Sequence, residues 1–118
     1  MEMVKLVVDA LGGDDAPGVV LEGVEMALAQ ADDIHVILIG PAEVVEPFAA
    51  KHERCSAVAT TQVIEMGEHP AMAVRKKKDS SLVVGCRMVR DGEAAGFFSA
   101  GSTGACMSAA TLVMGRIK

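Results

Sequence analysis

Four short runs of β-prone residues alternate with stretches of helical periodicity, and this alternation is the strongest constraint on the fold. The runs cover residues 4–8, 34–39, 57–60 and 95–98. The second run is apolar except for His35, which is typical of a strand buried on both faces. Because parallel strands are joined by crossover helices, the order predicts an α/β fold of three layers, α/β/α, with a mostly parallel sheet. A chain of 118 residues suits one such domain.

Capping and turn residues set the predicted helices. Asp14 or Asp15 can cap the first helix, with Pro17 in its first turn. Pro47 should keep the second helix short or bend it. We predict helices from about residue 17 to 31, from 41 to 49, from 82 to 90 and from about 103 to 114, and a loop with a short helical piece over 61–78.

Composition excludes several classes of protein. The net charge of -5 argues against a general nucleic-acid binder, because affinity for the phosphate backbone depends on clustered Lys and Arg. Apolar runs fall far below the roughly 20 residues that span a bilayer, and the pattern of the first residues does not predict a secretory segment. Without a C-x-x-C spacing, the cysteines predict neither a disulfide framework nor a zinc site, and they favour a cytoplasmic protein; they are Cys55, Cys86 and Cys106.

The turns that follow the first and fourth strands are the candidate binding sites, because open parallel sheets bind ligands outside the carboxyl ends of their strands. The first turn, which could bind a substrate hydroxyl or a neighbouring cation, contains Asp9, Gly12, Gly13 and Asp14. The second turn contains Ser99, Gly101, Ser102, Thr103 and Gly104. It resembles a phosphate cradle, with glycines for close approach and hydroxyls beside free amides at a helix N-terminus. It lacks the lysine of a P-loop and the spacing of a Rossmann fingerprint.

Each candidate also has a structural interpretation. The second turn can equally be a tight connection from strand to helix, and aspartate in a turn such as the first more often caps or forms the turn. Glu68 and His69 could supply an acid and base, but an exposed loop histidine is favoured. Cys106 follows the second turn and is predicted to lie in the core rather than to act as a nucleophile.

A basic run interrupts the otherwise acidic chain: Arg75, Lys76, Lys77 and Lys78. Such a run could receive a phosphate or an acidic protein partner. Most short charge runs are instead solvated helix ends. The residues leave both interpretations open.

Four stretches together resemble the PlsX-type phosphate acyltransferases, in order and in spacing. They are residues 8–14, 68–71, 75–81 and 99–105, so the resemblance covers essentially the whole chain. That family commonly has His, Asn or Tyr at the position of Asp15 and Asn at the position of Ser102. The second difference keeps a polar side chain that can form hydrogen bonds.

The resemblance implies an acyltransferase that moves a fatty acyl group from acyl carrier protein to inorganic phosphate, forming acyl phosphate for phospholipid synthesis. It implies no metal or organic cofactor, a cytoplasmic homodimer, and carrier-protein docking by the basic run. It also implies an architecture similar to isocitrate dehydrogenase and phosphotransacetylase, and a parent enzyme much longer than this chain. Proteins of the family can also associate with a membrane surface.

Two other functions fit the same residues. The chain could be a non-catalytic module that binds phosphate or a carrier protein, in which case it would form no acyl phosphate. The shared architecture also permits an enzyme similar to phosphotransacetylase that uses coenzyme A. Competition between acyl carrier protein and coenzyme A substrates would separate these enzymes.

Overall fold

The computed structural model describes residues 3–11, 18–62 and 69–99, in which helices lie between successive strands as the sequence predicts. In chain order the elements are β1 (Val4–Asp9), α1 (Gly18–Gln30), β2 (Ile34–Gly40), α2 (Ala42–Ala50), β3 (Cys55–Ala59), α3 (Pro70–Lys76), α4 (Ser81–Arg90) and β4 (Gly96–Phe98). The helix predicted over about 103–114 and the caps at Asp14 or Asp15 lie outside the described residues.

The four strands form one sheet in the order β3-β2-β1-β4, and all neighbouring pairs are parallel. The mostly parallel sheet is therefore confirmed. The third strand begins earlier than predicted, because buried Cys55 pairs with Val36 although polar Ser56 follows it. It also ends earlier, at Ala59, and the N–H of Thr60 then donates to the carbonyl oxygen of Gly40 at 2.8 Å.

Helices cover both faces of the sheet, as expected for three layers. On one face, α1 and α2 pack against the sheet in a cluster that includes Val24, Leu28, Val36, Leu38 and Val45. On the other face, α4 packs against it in a cluster that includes Val7, Ile37, Ile39, Met88 and Val89. The alternation along β2 explains the division, because successive side chains of a strand point to opposite faces.

The second helix is short, as its proline predicts, but it is not broken at Pro47. That residue lies inside α2, and the helix continues to Ala50. Proline removes the hydrogen bond that its N–H would give to the carbonyl four residues earlier. Here that carbonyl belongs to Glu43, an exposed residue in the first turn, where water can replace the lost donor.

The fourth helix has clear signals at both ends. Its N-cap is Ser80, whose hydroxyl accepts a hydrogen bond from a first-turn N–H. At the other end, the N–H of Gly92 donates to the carbonyl of Val89, and the N–H of Glu93 donates to the carbonyl of Met88. These two bonds define a Schellman motif. Gly92 has φ 77°, a left-handed conformation that glycine adopts without steric cost, so the predicted stop is confirmed.

Candidate functional site

The direction in which the strands are connected changes at β1. From β1 the chain passes through α1 to β2 on one side, whereas β4, reached after β3, lies on the other side of β1. A crevice opens outside the carboxyl ends of the strands at such a switch point, and open α/β sheets bind their ligands there. The carboxyl ends of β1 and β4 therefore mark the candidate site.

Asp9 and Ser99 meet at this point. The hydroxyl of Ser99 donates a hydrogen bond to Oδ2 of Asp9, with 2.9 Å between the two oxygens. The strand register explains the contact, because Val8 lies opposite Phe98 and the next residue on each strand is one of this pair. The structure thus joins one residue from each of the two turns that the sequence singles out.

The Asp9 carboxylate is buried, with 6% of the residue exposed. Its second oxygen, Oδ1, accepts a hydrogen bond from the N–H of Leu11 at 3.1 Å. The N–H of Ala10 donates to the carbonyl of Ile39 at 2.9 Å, so the chain just beyond β1 is fixed to β2 as well. Asp9 therefore shapes the start of its turn, as aspartate commonly does. Within the described residues, no buried side-chain nitrogen or oxygen lacks a partner.

Most of the two predicted turns lies outside the described residues. The binding roles assigned from the sequence remain predictions there, for Gly12, Gly13, Asp14, Gly101, Ser102, Thr103 and Gly104.

A second polar cluster, which we call the Thr61–Asp79 clamp, lies at the carboxyl end of β3. The N–H and the hydroxyl of Thr61 both donate to Oδ2 of Asp79, at 2.8 and 2.6 Å. The N–H of Asp79 donates to Oε1 of Gln62 at 3.0 Å. The hydrogen bonds from Thr61 lower the pKa of the Asp79 carboxyl. Sequence reasoning treats Asp79 only as part of a helix cap and misses this clamp, because its partners come from a distant segment.

The position of the basic run, Arg75 to Lys78, follows from the position of Asp79 in this clamp. It begins in the last turn of α3 and ends directly before Asp79. It therefore lies at the carboxyl edge of the sheet, the same edge as Asp9 and Ser99. Three of its side chains are exposed, whereas Lys77 is half-buried. Cations in the last turn of a helix are favoured by the helix dipole, so this position suits a structural as well as a binding role.

The other described residues that the sequence singles out either cap a helix or are buried. His69 is exposed and is the N-cap of α3, where its Nδ1 accepts from the N–H of Met72 at 3.4 Å. Cys55 and Cys86 are buried, and burial raises the pKa of the Cys55 thiol, which disfavours the nucleophilic thiolate. Glu68 and Cys106 lie outside the described residues. In the described part of the chain, no group of three or more His, Cys, Asp or Glu could hold a metal ion.

Comparison with known proteins places this sequence in a family. The model of a family described as fatty acid synthesis protein matches residues 4–118. The chain belongs to this family. A phosphate acyltransferase of Limosilactobacillus fermentum is 49% identical over 114 residues, which cover 97% of this chain and 33% of the relative. A phosphate acyltransferase of Desulfitobacterium hafniense is 49% identical over 119 residues, which cover 98% of this chain and 35% of the relative.

This member of the fatty acid synthesis protein family therefore spans about a third of the length of the curated relatives that it matches. The match supports the resemblance read from the sequence motifs. No helix within the described ranges is long and apolar enough to cross a membrane.

The site's own chemistry is that of a rigid polar junction. A carboxylate accepts hydrogen bonds and does not donate them, so the two donors on Asp9 hold its oxygens toward the protein. The pair fixes the point from which both small-residue turns leave the sheet. The arrangement can orient the start of a ligand-binding turn at this switch point.

Proposed function

We propose that this chain is part of an enzyme that transfers a fatty acyl group from acyl carrier protein to inorganic phosphate and forms acyl phosphate for phospholipid biosynthesis. The observation that carries the proposal is the family match over residues 4–118, together with relatives named phosphate acyltransferase at 49% identity. A cytoplasmic homodimer is part of the same proposal.

The phosphate end of the active site is assigned to the switch point of the sheet. In the reaction, a phosphate oxygen attacks the thioester carbonyl, a carbon–oxygen bond forms, the carbon–sulfur bond breaks, and the carrier-protein thiol leaves with a proton. Phosphate must be held close to the carbonyl with its charge stabilised, which donors at a helix N-terminus can do. The turn from Ser99 to Gly104 is proposed to hold the phosphate, with the amides and hydroxyls of Ser102 and Thr103 as donors.

Carrier-protein docking is assigned to the basic run. A local positive patch steers an acidic partner even when the whole protein is negative. The run lies at the same edge of the sheet as the Asp9–Ser99 pair, so a carrier protein that docks there can direct its acyl group toward the phosphate. Exposure of Arg75, Lys76 and Lys78 supports this role.

Product analysis tests the reaction. A family-length enzyme that contains this chain should release carrier-protein thiol from acyl carrier protein only when phosphate is present, and hydroxylamine should trap the acyl phosphate as a hydroxamate. The same assay with acyl coenzyme A tests the competing enzyme. Phosphate binding without product from either thioester would assign a binding module instead.

Charge reversal tests the docking surface. Lys76→Glu combined with Lys78→Glu should raise the apparent KM for acyl carrier protein several-fold at low salt, because long-range attraction becomes repulsion. The difference should shrink at about 0.15 M salt, where the Debye length is about 8 Å. Lys5→Glu combined with Lys51→Glu is the matched control: both lysines are exposed, and they lie at the start of β1 and beyond the end of α2, at the opposite edge of the sheet. Equal effects from both sets of changes would remove the docking assignment.

A further inference from the structure

The hydrogen bond between Asp9 and Ser99 runs from the serine hydroxyl to the carboxylate, and this direction limits the hydrogen bonds that Ser99 can donate. Since a carboxylate cannot donate, the hydroxyl proton of Ser99 points to Oδ2 of Asp9. A serine hydroxyl has only one proton. In this arrangement Ser99 therefore has no proton to give to a phosphate oxygen, in contrast to the direct phosphate contact that its place in the small-residue turn suggests.

We propose that Asp9 and Ser99 are a positioning pair. The pair holds the turn after β4 in the orientation that binds phosphate, and neither side chain contacts the anion. This inference rests on the proposed function for its substrate. Asp9 acts through Ser99 and through the N–H of Leu11, so one buried carboxylate fixes the chain at the ends of both β1 and β4.

The shortness of β4 explains why such a pair is needed. This strand has three residues and pairs with β1 from Gly96 opposite Leu6 to Phe98 opposite Val8. A short ladder determines the direction of the following turn weakly. The Asp9–Ser99 bond extends the register one step further by means of side chains, at the point where the chain leaves the sheet.

The electrostatics favour positioning over direct binding. A carboxylate whose oxygens faced the anion site would repel phosphate. Here each oxygen of Asp9 accepts a hydrogen bond from the protein, so one oxygen faces the N–H of Leu11 and the other faces the hydroxyl of Ser99. Phosphate binding should therefore depend on the hydrogen-bonded geometry of this residue more than on its negative charge.

Three variants separate these roles in a family-length enzyme, with inorganic phosphate as the calorimetric probe. Ser99→Ala and Asp9→Ala should each weaken phosphate binding about tenfold, and the double variant should be little worse, because both remove one shared bond. Asp9→Asn should bind phosphate within about threefold of wild type, since its oxygen can accept from Leu11 and its amide can donate to the Ser99 hydroxyl. Ser99→Thr keeps the hydroxyl and should likewise retain binding.

Ser56→Ala is the matched control. It removes another side-chain hydrogen bond between parallel strands, the one between the Ser56 hydroxyl and Nε2 of His35 at 2.6 Å, but at the β2–β3 pair rather than at the switch point. Phosphate affinity should be unchanged in this variant. Melting curves of all variants establish that each is folded at the assay temperature.

Kinetics complete the test. In the positioning role, the Ala variants raise the KM for phosphate and leave the KM for acyl carrier protein unchanged. If Asp9→Asn instead abolishes kcat with an unchanged KM for phosphate, Asp9 is a catalytic group and the positioning role is wrong. Additive losses from Ser99→Ala and Asp9→Ala would also overturn it, as would wild-type affinity in both.

The outcome for the proposed function is distinguishable. If the enzyme binds phosphate but forms no acyl phosphate, the function fails, while the calorimetric pattern still decides the role of the pair. If acyl phosphate forms and the variants behave as wild type, the function stands and the pair is only structural. If phosphate does not bind to the wild-type protein, the positioning inference is overturned.

Discussion

The helices on the two faces of the sheet are packed differently, and two glycines show the difference. A Cβ atom added to Gly23 in α1 would meet nothing within 4 Å. A Cβ atom added to Gly85 in α4 would lie 2.6 Å from two ring carbons of Phe97, closer than van der Waals contact permits. The glycine in α4 therefore makes room for an aromatic ring, whereas the glycine in α1 lies on an exposed surface.

This difference follows from what each layer supports. Phe97 belongs to β4, and Ser99 at the end of that strand forms the bond to Asp9. Close contact between α4 and β4 therefore supports the candidate site. Helix α1 is held in another way: Arg54 donates hydrogen bonds from its guanidinium to the carbonyl oxygens of Leu28 and Ala31, near the end of the helix.

The largest predicted effect is the difference of about 1.5–3 kcal/mol between the same change made in the two layers. Gly85→Ala should destabilise the protein by about 1–2 kcal/mol, because overpacking costs about 1–3 kcal/mol and helix propensity returns up to about 1 kcal/mol. Gly23→Ala should stabilise it by about 0.5–1 kcal/mol, since only the propensity changes. Urea unfolding of the two variants gives both free energies of unfolding.

Phe97→Leu provides the control for this comparison. In that background the ring that obstructs residue 85 is gone, so the cost of Gly85→Ala should fall toward zero or become a gain. Equal free energies of unfolding for Gly85→Ala and Gly23→Ala in the wild-type background would show that α4 is not closely packed.

The polar end of α1 is the next most sensitive feature. Arg54→Ala should lower the free energy of unfolding by about 2 kcal/mol, because the carbonyls of Leu28, Ala31 and Ile34 lose charged donors. Arg54→Lys should recover part of the loss, since ammonium cannot reproduce the planar fork of guanidinium. Denaturant titration measures both. Full recovery by lysine would show that charge matters here and that the geometry does not.

The sequence predicts the elements of this fold well because each carries its own local signal. Pro41 opens α2, Ser80 caps α4 and Gly92 ends it, and each acts through bonds to neighbours in the chain. The β2 run is also recognisable, because a strand buried on both faces is almost continuously apolar. The errors occur where tertiary pairing overrides composition, as at Cys55, which enters β3 by pairing with Val36.

The contacts of the site are less accessible to sequence reasoning. Asp9 and Ser99 are each chosen from their turns, yet the hydrogen bond between them depends on β4 lying beside β1, and no local pattern determines strand order. The direction of that bond changes the role inferred for Ser99. The clamp between Thr61 and Asp79 is missed for the same reason, because its two halves are polar residues in separate loops.

The end of α4 offers a smaller test. Gly92→Ala should cost about 1 kcal/mol, because an L-residue at φ 77° meets the steric penalty of the left-handed region although nothing lies within 4 Å of its Cβ. Gly92→Asn should cost less, since asparagine tolerates this conformation better. Thermal unfolding compares the two. If alanine is the less destabilising residue, the Schellman geometry does not limit stability there.

The smallest predicted effect concerns the exposed clamp at the carboxyl end of β3 and is a dependence of stability on pH. The Thr61 hydrogen bonds lower the pKa of Asp79, so the folded state binds the proton less readily than the unfolded chain does. The contribution of Asp79 to the stability of the folded state is therefore fully present above the ordinary aspartate pKa of about 3.9. It is lost as the pH falls through the lower pKa of the folded state. Solvent screening limits it to a few tenths of a kcal/mol. Asp79→Asn should be slightly less stable than wild type at neutral pH, and the difference should disappear in acid; Thr61→Val, which keeps the N–H donor, should show about half of it. A wild-type advantage that grows in acid would contradict the clamp.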